Sequence, residues 1–469
     1  MSQKYKTFVL TDKDLSLAGA FSKSSLGEYI ENLNVEGSIK TLHTANNIYS
    51  IIEPTRDTQL EQVVSETIEN ICGLFVYQTI TEGKTIEYLI ICGEDYTLYY
   101  YELNSETPSL KVFNSITLSS KPVFQTYVAG GENVLLISSA TDSLWTWNGV
   151  DEPVEILDSP KVTSMAVNID RLFVTDSSLP YSVAYSENRD PTTWAMSTGD
   201  IATIDFSDDL GKVIKVVALD NYIFVFRQFG IIKIYSGKDS NSFSISKMYF
   251  SNGRINANSI CQMGDNIAFV ASSGLYVFDG LNTKKICSEL EGRVDFENCF
   301  AVAQNGTYYL FSNEFNQLHA TAYFIDIKAG KIFETIGGEN FSLAFLLNSD
   351  SLNFVGYIDS KNANVPTLIV KNVSIIDENN NFVFESSWIE LDPKNKEKTL
   401  QKLNVILKGG ANVLLLTDKN SRQFEFNGDG EFQSALISEK CSRFKLKIFG
   451  SGVVDISNLS LDYCYIEGF

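Results

Sequence analysis

Histidine is almost absent from this chain of 469 residues, which has only His43 and His319. Neither belongs to an H-E-x-x-H motif or to another group with the spacing of metal ligands, so we expect both to be structural. The sequence also has no G-x-S-x-G nucleophile elbow and no G-x-x-x-x-G-K-[ST] phosphate loop. We therefore predict a protein that is not an enzyme, with no catalytic, cofactor-binding or metal-binding residue and no cofactor.

Long apolar runs are missing as well, since no stretch of about 18 apolar residues occurs, and we expect no transmembrane helix. The first residues, Met1–Lys6, lead into a polar segment without the apolar region of a signal peptide. The cysteines are odd in number and form no C-x-x-C pair, which favours reduced thiols over a disulfide framework. These features predict a soluble protein made in a cytoplasm. The seven cysteines are Cys72, Cys92, Cys261, Cys287, Cys299, Cys441 and Cys464.

Basic residues are outnumbered, with 37 Lys and Arg against 58 Asp and Glu, which gives a formal net charge of −21. A broad basic face for nonspecific nucleic-acid binding is therefore not expected. An acidic wall would instead repel DNA and let it slide past. Aromatic residues are abundant at 12%, with 31 Phe and 22 Tyr, and this composition favours strands over helices.

A short apolar strand recurs along the middle of the chain. Its copies are separated by roughly 38 to 50 residues, the length of one four-stranded propeller blade. The copies are Tyr88–Cys92, Val134–Ile137, Leu172–Val174, Tyr222–Phe226, Ile267–Val270, Tyr308–Phe311 and a weaker Leu352–Val355.

A second, aromatic-rich strand follows most of these copies. Turn signals come after several of them, at Asn148-Gly149, Ser236-Gly237, Asp279-Gly280 and Ala329-Gly330. Short strands bounded by such turns predict an all-β chain, in which residues 61–375 form a six- or seven-bladed β-propeller. A β-sandwich or a β-solenoid is the alternative for this region. The second strands are Thr97–Tyr101, Leu144–Trp147, Ile231–Tyr235, Leu275–Phe278 and Tyr323–Ile327.

The two ends of the chain lack this repeat. At the boundary between residues 1–60 and the repeats, the stretch Gln59–Asn70 favours a short helix. Residues 376–469 contain at least six strand-like runs, which predicts a compact C-terminal β-sandwich. We expect residues 1–60 to join this sandwich in one platform.

Two acidic stretches are candidate metal loops. Asp200, Asp205, Asp208 and Asp209 could offer oxygen ligands to calcium, but their spacing matches no loop motif, and a solvated loop is favoured. The stretch Asn427–Glu431 (Asn-Gly-Asp-Gly-Glu) is interpreted as a tight hairpin turn.

Tyr185–Trp194 invites comparison with the Asp-box hairpin of sialidases, but its glycine is missing and its spacing differs. A glycosidase is therefore not favoured. Four tryptophans could stack on sugars, although buried tryptophans are commoner in blades. They are Trp145, Trp147, Trp194 and Trp388.

Several blocks together resemble a known family. Tyr185-Ser186 through Asp190-Pro191 to Trp194 is similar to a stretch in tail proteins of short-tailed bacteriophages. The blocks Leu210–Gly237 and Ser251–Gly280 extend the likeness, and so do Lys402–Leu407 and Lys445–Gly452 in the C-terminal region. The family is the tail nozzle, also called tail tubular B, tail hub or packaged-DNA stabilisation protein. The resemblance covers roughly residues 165–469.

The resemblance implies a structural protein of the virion tail, made in the host cytoplasm. In that family a ring of about six copies lies below the portal and adaptor and continues the channel through which DNA leaves the capsid. Such a ring needs two different surfaces on each subunit. The implied partners are further copies of the chain, the portal or adaptor ring, tail fibre or needle proteins, and genomic DNA that passes without sequence-specific binding. The alternative is a carbohydrate-binding or glycan-cleaving propeller at a tail tip or in a bacterium.

Overall fold

The computed structural model describes most of the chain. The described residues are 2–10, 27–31, 33–36, 41–44, 63–64, 67–81, 83–103, 105, 109–194, 201–235, 243–251, 253–287, 290, 294–304, 306–313, 320–327, 331–338, 343–346, 354–358, 367–371, 381–394, 396–451 and 454–467.

Strands dominate these residues, so the chain is all-β, with one short 3-10 turn at Ala257–Ser259. In chain order the strands are β1 (Ser2–Val9), β2 (Gly27–Glu31), β3 (Leu33–Glu36), β4 (Thr41–Thr44), β5 (Ile71–Thr81), β6 (Lys84–Gly93), β7 (Leu98–Glu102), β8 (Leu110–Val112), β9 (Pro122–Ala129), β10 (Glu132–Ser139), β11 (Leu144–Trp147), β12 (Val154–Ile156), β13 (Val162–Asn168), β14 (Arg171–Asp176), β15 (Ser182–Tyr185), β16 (Thr203–Asp205), β17 (Val213–Leu219), β18 (Tyr222–Arg227), β19 (Gly230–Tyr235), β20 (Ser244–Phe250), β21 (Cys261–Met263), β22 (Asn266–Ala271), β23 (Gly274–Phe278), β24 (Thr283–Ile286), β25 (Cys299–Gln304), β26 (Thr307–Asn313), β27 (Ala320–Asp326), β28 (Lys331–Gly338), β29 (Leu343–Leu346), β30 (Phe354–Ile358), β31 (Thr367–Lys371), β32 (Asn381–Ser386), β33 (Lys398–Thr417), β34 (Ser421–Cys441), β35 (Phe444–Ser451) and β36 (Asp455–Glu467).

Seven small sheets follow one another from β5 to β31. Six of them have four strands, and the seventh, β29–β31, has three among the described residues. In every sheet each strand pairs antiparallel with its neighbour in the chain, so each sheet is a simple meander. The structure thus has seven repeats of the kind that the recurring strands predict.

The apolar strand recognised in the sequence is the second strand of its sheet rather than the first. Leu89–Cys92 in β6, Leu135–Ile137 in β10 and Leu172–Val174 in β14 are completely buried. A strand buried on both faces has an uninterrupted apolar sequence, which makes it easy to recognise. The first strands, such as β5 and β9, mix buried and half-buried positions, and this weaker pattern explains why they were missed.

Consecutive sheets stack face to face. Ile90 of β6 lies in one cluster with Leu135 and Trp147 of the second sheet, whereas its neighbour Leu89 lies in another cluster with Val64. The alternation follows from strand geometry, because successive side chains point to opposite faces. The same division recurs from sheet to sheet, and β29 of the seventh sheet contacts β5 of the first. The first and the seventh sheet are therefore in contact with each other.

A repeated hydrogen bond links neighbouring sheets. The Tyr77 hydroxyl on β5 donates to the Asn133 carbonyl in the second sheet (2.6 Å), and the Tyr127 hydroxyl on β9 donates to the Asp170 carbonyl in the third (2.7 Å). Asn168 Nδ2 at the end of β13 repeats the contact with the Asp220 carbonyl in the fourth (3.0 Å). These bonds satisfy backbone carbonyls at the turns between first and second strands.

The chain ends meet in a separate seven-stranded sheet. Its order is β1-β36-β33-β35-β32-β2, and β34 pairs with the other edge of β33. On one edge β33 pairs with β36 over residues 398–408 and with β35 over residues 412–417. The predicted C-terminal sandwich of two sheets is therefore corrected, because the long strand β33 joins both halves into one sheet.

Two local predictions in the chain ends have different outcomes. The stretch Asn427–Glu431 is not a hairpin turn, because it lies within β34, where it pairs with β33 and Gly430 has a φ of +99°. Glycine with positive φ serves bulges as well as turns, and here the register shifts between Ile406 and Lys408 of the partner strand.

In the segment expected to be helical, Ile68 N donates to Val64 O (2.8 Å), a helical hydrogen bond, while residues 59–62 and 65–66 lie outside the described residues.

A buried ion pair fixes the loop before the fourth sheet. The Arg227 side chain is completely buried, and its Nη1 lies 3.1 Å from Asp208 Oδ1. Arg227 Nε also donates to the Gly211 carbonyl (2.7 Å), and its guanidinium lies over the Phe206 ring. Asp208 therefore differs from the solvated loop that was favoured for the acidic stretch, because its side chain is paired with Arg227. Asp205 and Asp209 are exposed, and Asp200 lies outside the described residues.

We expect Asp208→Ala to lower the free energy of unfolding by about 3–5 kcal/mol, because it leaves the buried Arg227 guanidinium without its counter-charge. The matched control is Asp209→Ala at the exposed neighbouring position, where a change within about 0.5 kcal/mol is expected. Urea denaturation followed by tryptophan fluorescence measures both. Equal effects of the two substitutions would show that the ion pair is unimportant.

Candidate functional site

The most unusual surface of the described chain is the outer face of the sheet β1-β36-β33-β34. We call it the open face and define it by five apolar side chains: Tyr5 and Val9 on β1, Ile466 on β36, and Phe432 and Leu436 on β34. Tyr5, Phe432 and Leu436 are each 65% exposed. The strand registers place all five on one side of the sheet. Exposed apolar side chains on both edge strands of one sheet face are candidate contact points for a partner.

The opposite face of the same sheet is deeply buried. Leu403, Val405 and Leu407 of β33 point away from the open face and have no exposed area. They belong to a core cluster that also includes Leu461 of β36 and Leu310 of β26. One face of the sheet is thus anchored in the protein core, and this anchoring fixes the direction of the open face.

A row of polar side chains crosses the open face. The Thr7 hydroxyl donates to Asp462 Oδ1 (2.6 Å), and Asn404 Nδ2 donates to Asp462 Oδ2 (2.9 Å). The Ser434 hydroxyl completes the row by donating to Asn404 Oδ1 (2.9 Å). The row runs through all four strands, so it holds β1 and β34 in register with the two central strands.

Both lateral edges of this four-stranded sheet are open. Within the described residues, β1 pairs only with β36, and the 21-residue strand β34 pairs only with β33. Among the described strands, each edge thus has one neighbouring strand and one side to which no described strand is added. Natural proteins usually shorten, cover or charge such edges, because an open edge recruits further strands.

The two open edges differ in charge. β1 contains Lys4 and Lys6 and no acidic residue, whereas β34 contains four acidic and two basic residues. Glu425, Asp429 and Glu431, three of the acidic residues, are exposed along the middle of β34. A basic edge and an acidic edge on one subunit attract each other between copies.

The strand directions also suit the addition of a second copy. β1 is antiparallel to β36, β36 to β33, and β33 to β34. A neighbouring copy in the same orientation would therefore bring its β1 antiparallel to β34. The apolar residues have the same spacing on both strands, with four positions from Tyr5 to Val9 and four from Phe432 to Leu436. A head-to-tail contact would thus continue the sheet and its apolar pattern.

The tryptophans do not form a common surface. Trp147 is buried among Tyr77, Tyr88, Tyr100 and Phe113, with ring centroids 4.8–5.6 Å away. Trp194 is buried, Trp145 is partly buried, and Trp388 is 41% exposed beneath the Arg443 guanidinium.

The segment Tyr185–Trp194 forms a tight turn around one carboxylate. Asp190 Oδ1 accepts hydrogen bonds from the backbone and hydroxyl of Thr192, and its Oδ2 accepts one from Thr193. Trp194 Nε1 donates to the Pro191 carbonyl (2.8 Å). Desolvation raises the pKa of Asp190, but these hydrogen bonds outweigh it, and the pKa lies below its ordinary value. The aspartate and tryptophan of this segment therefore have structural positions.

The described residues contain no group of three or more His, Cys, Asp or Glu side chains that could hold a metal ion. His43 lies in β4, and His319 falls outside the described residues. The same part of the chain has no helix that is long and apolar enough to cross a membrane. Sequence reasoning named none of the residues of the open face, since scattered exposed apolar residues on strands give no distinctive motif.

Comparison with known proteins identifies no relative in sequence, because no family model and no curated protein matches the chain. Among solved structures, one similar chain is the extracellular domain of a putative one-component system from B. thetaiotaomicron. The TM-score is 0.45 at 10% identity, over 81% of this chain and 57% of that one. Another is PorZ, a bacterial surface component of the type-IX secretion system of Porphyromonas gingivalis. Its TM-score is 0.39 at 14% identity, over 76% of this chain and 45% of PorZ. This chain thus spans about half the length of the two structures, and likeness at this level indicates no function.

Three charged side chains lie together on β32 and β35 of the C-terminal sheet. Glu385 on β32 accepts a hydrogen bond from Lys445 Nζ (2.8 Å) and lies 3.6 Å from Lys447 Nζ on β35. The hydrogen bond from Lys445 and the positive charge of both lysines hold the pKa of Glu385 below its ordinary value, despite the opposing effect of desolvation.

A carboxyl with a lowered folded-state pKa stabilises the protein above its unfolded-state pKa of about 4.3. This contribution is lost as the pH falls through the lower folded-state pKa. We expect Glu385→Gln to destabilise the protein at pH 7 by less than about 1 kcal/mol, and the difference from the native protein to vanish in acid. Thermal unfolding from pH 7 to pH 3 measures this, with Glu431→Gln on exposed β34 as the control. A difference that persists unchanged at pH 3 would contradict the assignment.

Proposed function

We propose that this chain is a structural protein without catalytic activity, which assembles head to tail into a closed ring through the open face and the two open edges of its C-terminal sheet. The role proposed for the ring is the tail nozzle of a short-tailed bacteriophage, in which it continues the DNA exit channel below the portal or adaptor. The family resemblance of residues 165–469 supports the tail role, and the geometry of the open edges supports the assembly.

The proposal includes a seven-bladed β-propeller over residues 71–371, joined to the C-terminal sheet. Seven consecutive four- or three-stranded meanders support it, as do the shared cores between neighbouring sheets and the contact of β29 with β5. In this arrangement the propeller is a rigid body, and the C-terminal sheet with β1 is the platform through which copies meet.

The single observation that carries the assembly is the pair of complementary edges on one sheet. β1 is basic and β34 is acidic, both lack a strand partner in the described chain, and their directions allow antiparallel pairing between copies in the same orientation. Because the two surfaces differ, the contact is heterologous, and such contacts produce rings when the rotation between copies closes.

The charge of the chain suits a channel for DNA. With a net charge of −21 per copy, a ring is strongly negative, and the part of that charge facing the channel keeps DNA from adhering as it passes. The partners that go with this role are the portal or adaptor ring on one side and tail fibre or needle proteins on the other. The ring belongs to the virion tail.

We expect the purified chain, alone or mixed with its portal or adaptor, to form rings of about six copies with an open channel. The double substitution Phe432→Lys, Leu436→Lys places two charges on the open face and should leave the chain monomeric, because a lysine opposite the basic β1 edge repels it. Size-exclusion chromatography with light scattering and negative-stain imaging measure both states.

The matched control is Leu281→Lys, because Leu281 is 64% exposed in a turn of the fifth sheet and is remote in sequence from the C-terminal sheet. This variant should assemble like the native chain. A native chain that stays monomeric with every tail component would reject the ring. Rings that form equally well with the doubly substituted chain would reject the open face as the contact.

A second candidate function, glycan binding, is favoured by a groove on the fourth sheet. An open cavity of about 500 Å³ is lined by Tyr222, Lys233, Tyr235, Ser244 and Ser246 together with Met248. The two tyrosine rings have centroids 5.8 Å apart, and Lys233 Nζ lies 3.5 Å from the centre of the Tyr222 ring. Aromatic faces beside hydroxyl and ammonium donors are the elements of a sugar-binding surface.

If the groove binds glycans, Tyr235→Ala should weaken binding at least tenfold, since it removes one aromatic wall. The control is Tyr181→Ala, a tyrosine of similar exposure outside the groove, at 48% against 44% for Tyr235. A glycan array followed by titration calorimetry of any hit measures this. An array without hits for the native chain would remove the glycan-binding candidate.

A further inference from the structure

Two cysteine side chains of the first sheet lie side by side. Cys72 on β5 and Cys92 on β6 have their Sγ atoms 3.5 Å apart, and both face the Gly93 carbonyl. Neither is bonded to another cysteine, since both are free thiols. A disulfide bond has a length of about 2.05 Å, so a shift of about 1.5 Å would join them.

A bulge in β5 creates this arrangement. The register shifts between Ile71, which faces Gly93, and Gly73, which faces Cys92. Cys72 is the extra residue of the bulge, so it has no partner of its own in the pairing and can turn towards Cys92. Gly73 leaves room for the contact, because a Cβ atom at this position would lie only 3.3 Å from Cys92 Cβ.

The two thiols have unequal access and acidity. Cys72 is half-buried, whereas Cys92 is completely buried. The neighbouring Cys92 thiol lowers the pKa of Cys72, and the charge of Lys121 adds to the effect. The same contact and burial raise the pKa of Cys92. Cys72 is therefore the thiol that reacts first with a reagent from solution, and Cys92 is placed to react with the product.

We propose that Cys72 and Cys92 are a disulfide-forming pair, which takes a small-molecule disulfide such as oxidised glutathione as its oxidant. The Cys72 thiolate attacks one glutathione sulfur, a mixed disulfide forms, and the other glutathione leaves as a thiolate. The Cys92 thiolate then attacks Cys72 Sγ and releases the second glutathione. The two cysteines lose two protons and two electrons, and one glutathione disulfide becomes two reduced glutathiones.

The position of the pair suggests what the bond does. It would join β5 to β6 in the first sheet, which is the sheet that β29 contacts where the stack of seven closes. Within the described chain, no strand is shared between the first and seventh sheets. A covalent link between β5 and β6 would stabilise the sheet on which β29 packs, once the chain has left a reducing compartment.

The test treats the full chain with oxidised glutathione under native conditions and counts its free thiols by intact mass after alkylation. We expect the loss of two thiols, a peptide that links Cys72 to Cys92, and a rise in Tm that dithiothreitol reverses. Cys72→Ser should abolish all three effects. Cys261→Ser is the matched control, because Cys261 is another half-buried thiol, which contacts the Ala301 carbonyl (3.3 Å) instead of a cysteine, and it should leave all three unchanged.

Three results would overturn the proposal. These are a stable mixed disulfide of glutathione on Cys72 without loss of the Cys92 thiol, a chain in which all seven thiols stay free, and a linked peptide that involves other cysteines. The test does not need a Cys92→Ser variant, which could fail to fold because its site is buried. The peptide map of the native chain and the Cys72→Ser variant decide between these results.

Discussion

The second strands of the first five small sheets are buried on both of their faces, and most of the architecture follows from that constraint. A sheet with two apolar faces is unstable alone and must be covered on both sides. Neighbouring sheets provide this cover, since Ile90 of the first sheet shares a cluster with Leu135 of the second, and Leu136 of the second shares one with Leu172 of the third. A linear stack would leave one apolar face open at each end. In the proposed propeller, the contact between β29 and β5 would remove both open ends.

The C-terminal sheet satisfies a different constraint, because only one of its faces is anchored in the core. Leu403, Val405 and Leu407 are buried, while Asn404 between them points to the other face and hydrogen-bonds to Asp462. The buried face packs on the fifth and sixth small sheets, and within the described residues the edge strands β1 and β34 each pair with one strand only. In the proposed assembly the small sheets form the closed part, and the C-terminal sheet is the part through which copies meet. This division is the physical basis for assigning assembly to the C-terminal sheet.

Local sequence chemistry was misleading where one residue type serves two structural purposes. The glycines of Asn427–Glu431 suggested a turn, yet the turn lies at Asp418–Asn420 and the glycines form a bulge inside β34. The bulge requires positive φ as a turn does, and only the pairing with β33 distinguishes the two. Asp208 was similarly ambiguous, because its role depends on Arg227, which follows it by 19 positions and reaches it only in the folded chain.

The sequence by itself determined the all-β class, the repeated unit and the second and third strands of the sheets, because burial on both faces and alternation leave direct patterns in the residues. It also determined the turns at Asn148-Gly149 and Asp279-Gly280, where glycine has a positive φ. Only the tertiary structure decided that β1 pairs with β36, that β34 is an edge, and that Cys72 lies beside Cys92. These features depend on which distant segments become neighbours in the fold. A sequence pattern indicates whether a residue is buried or exposed, but it does not identify the segment that buries it.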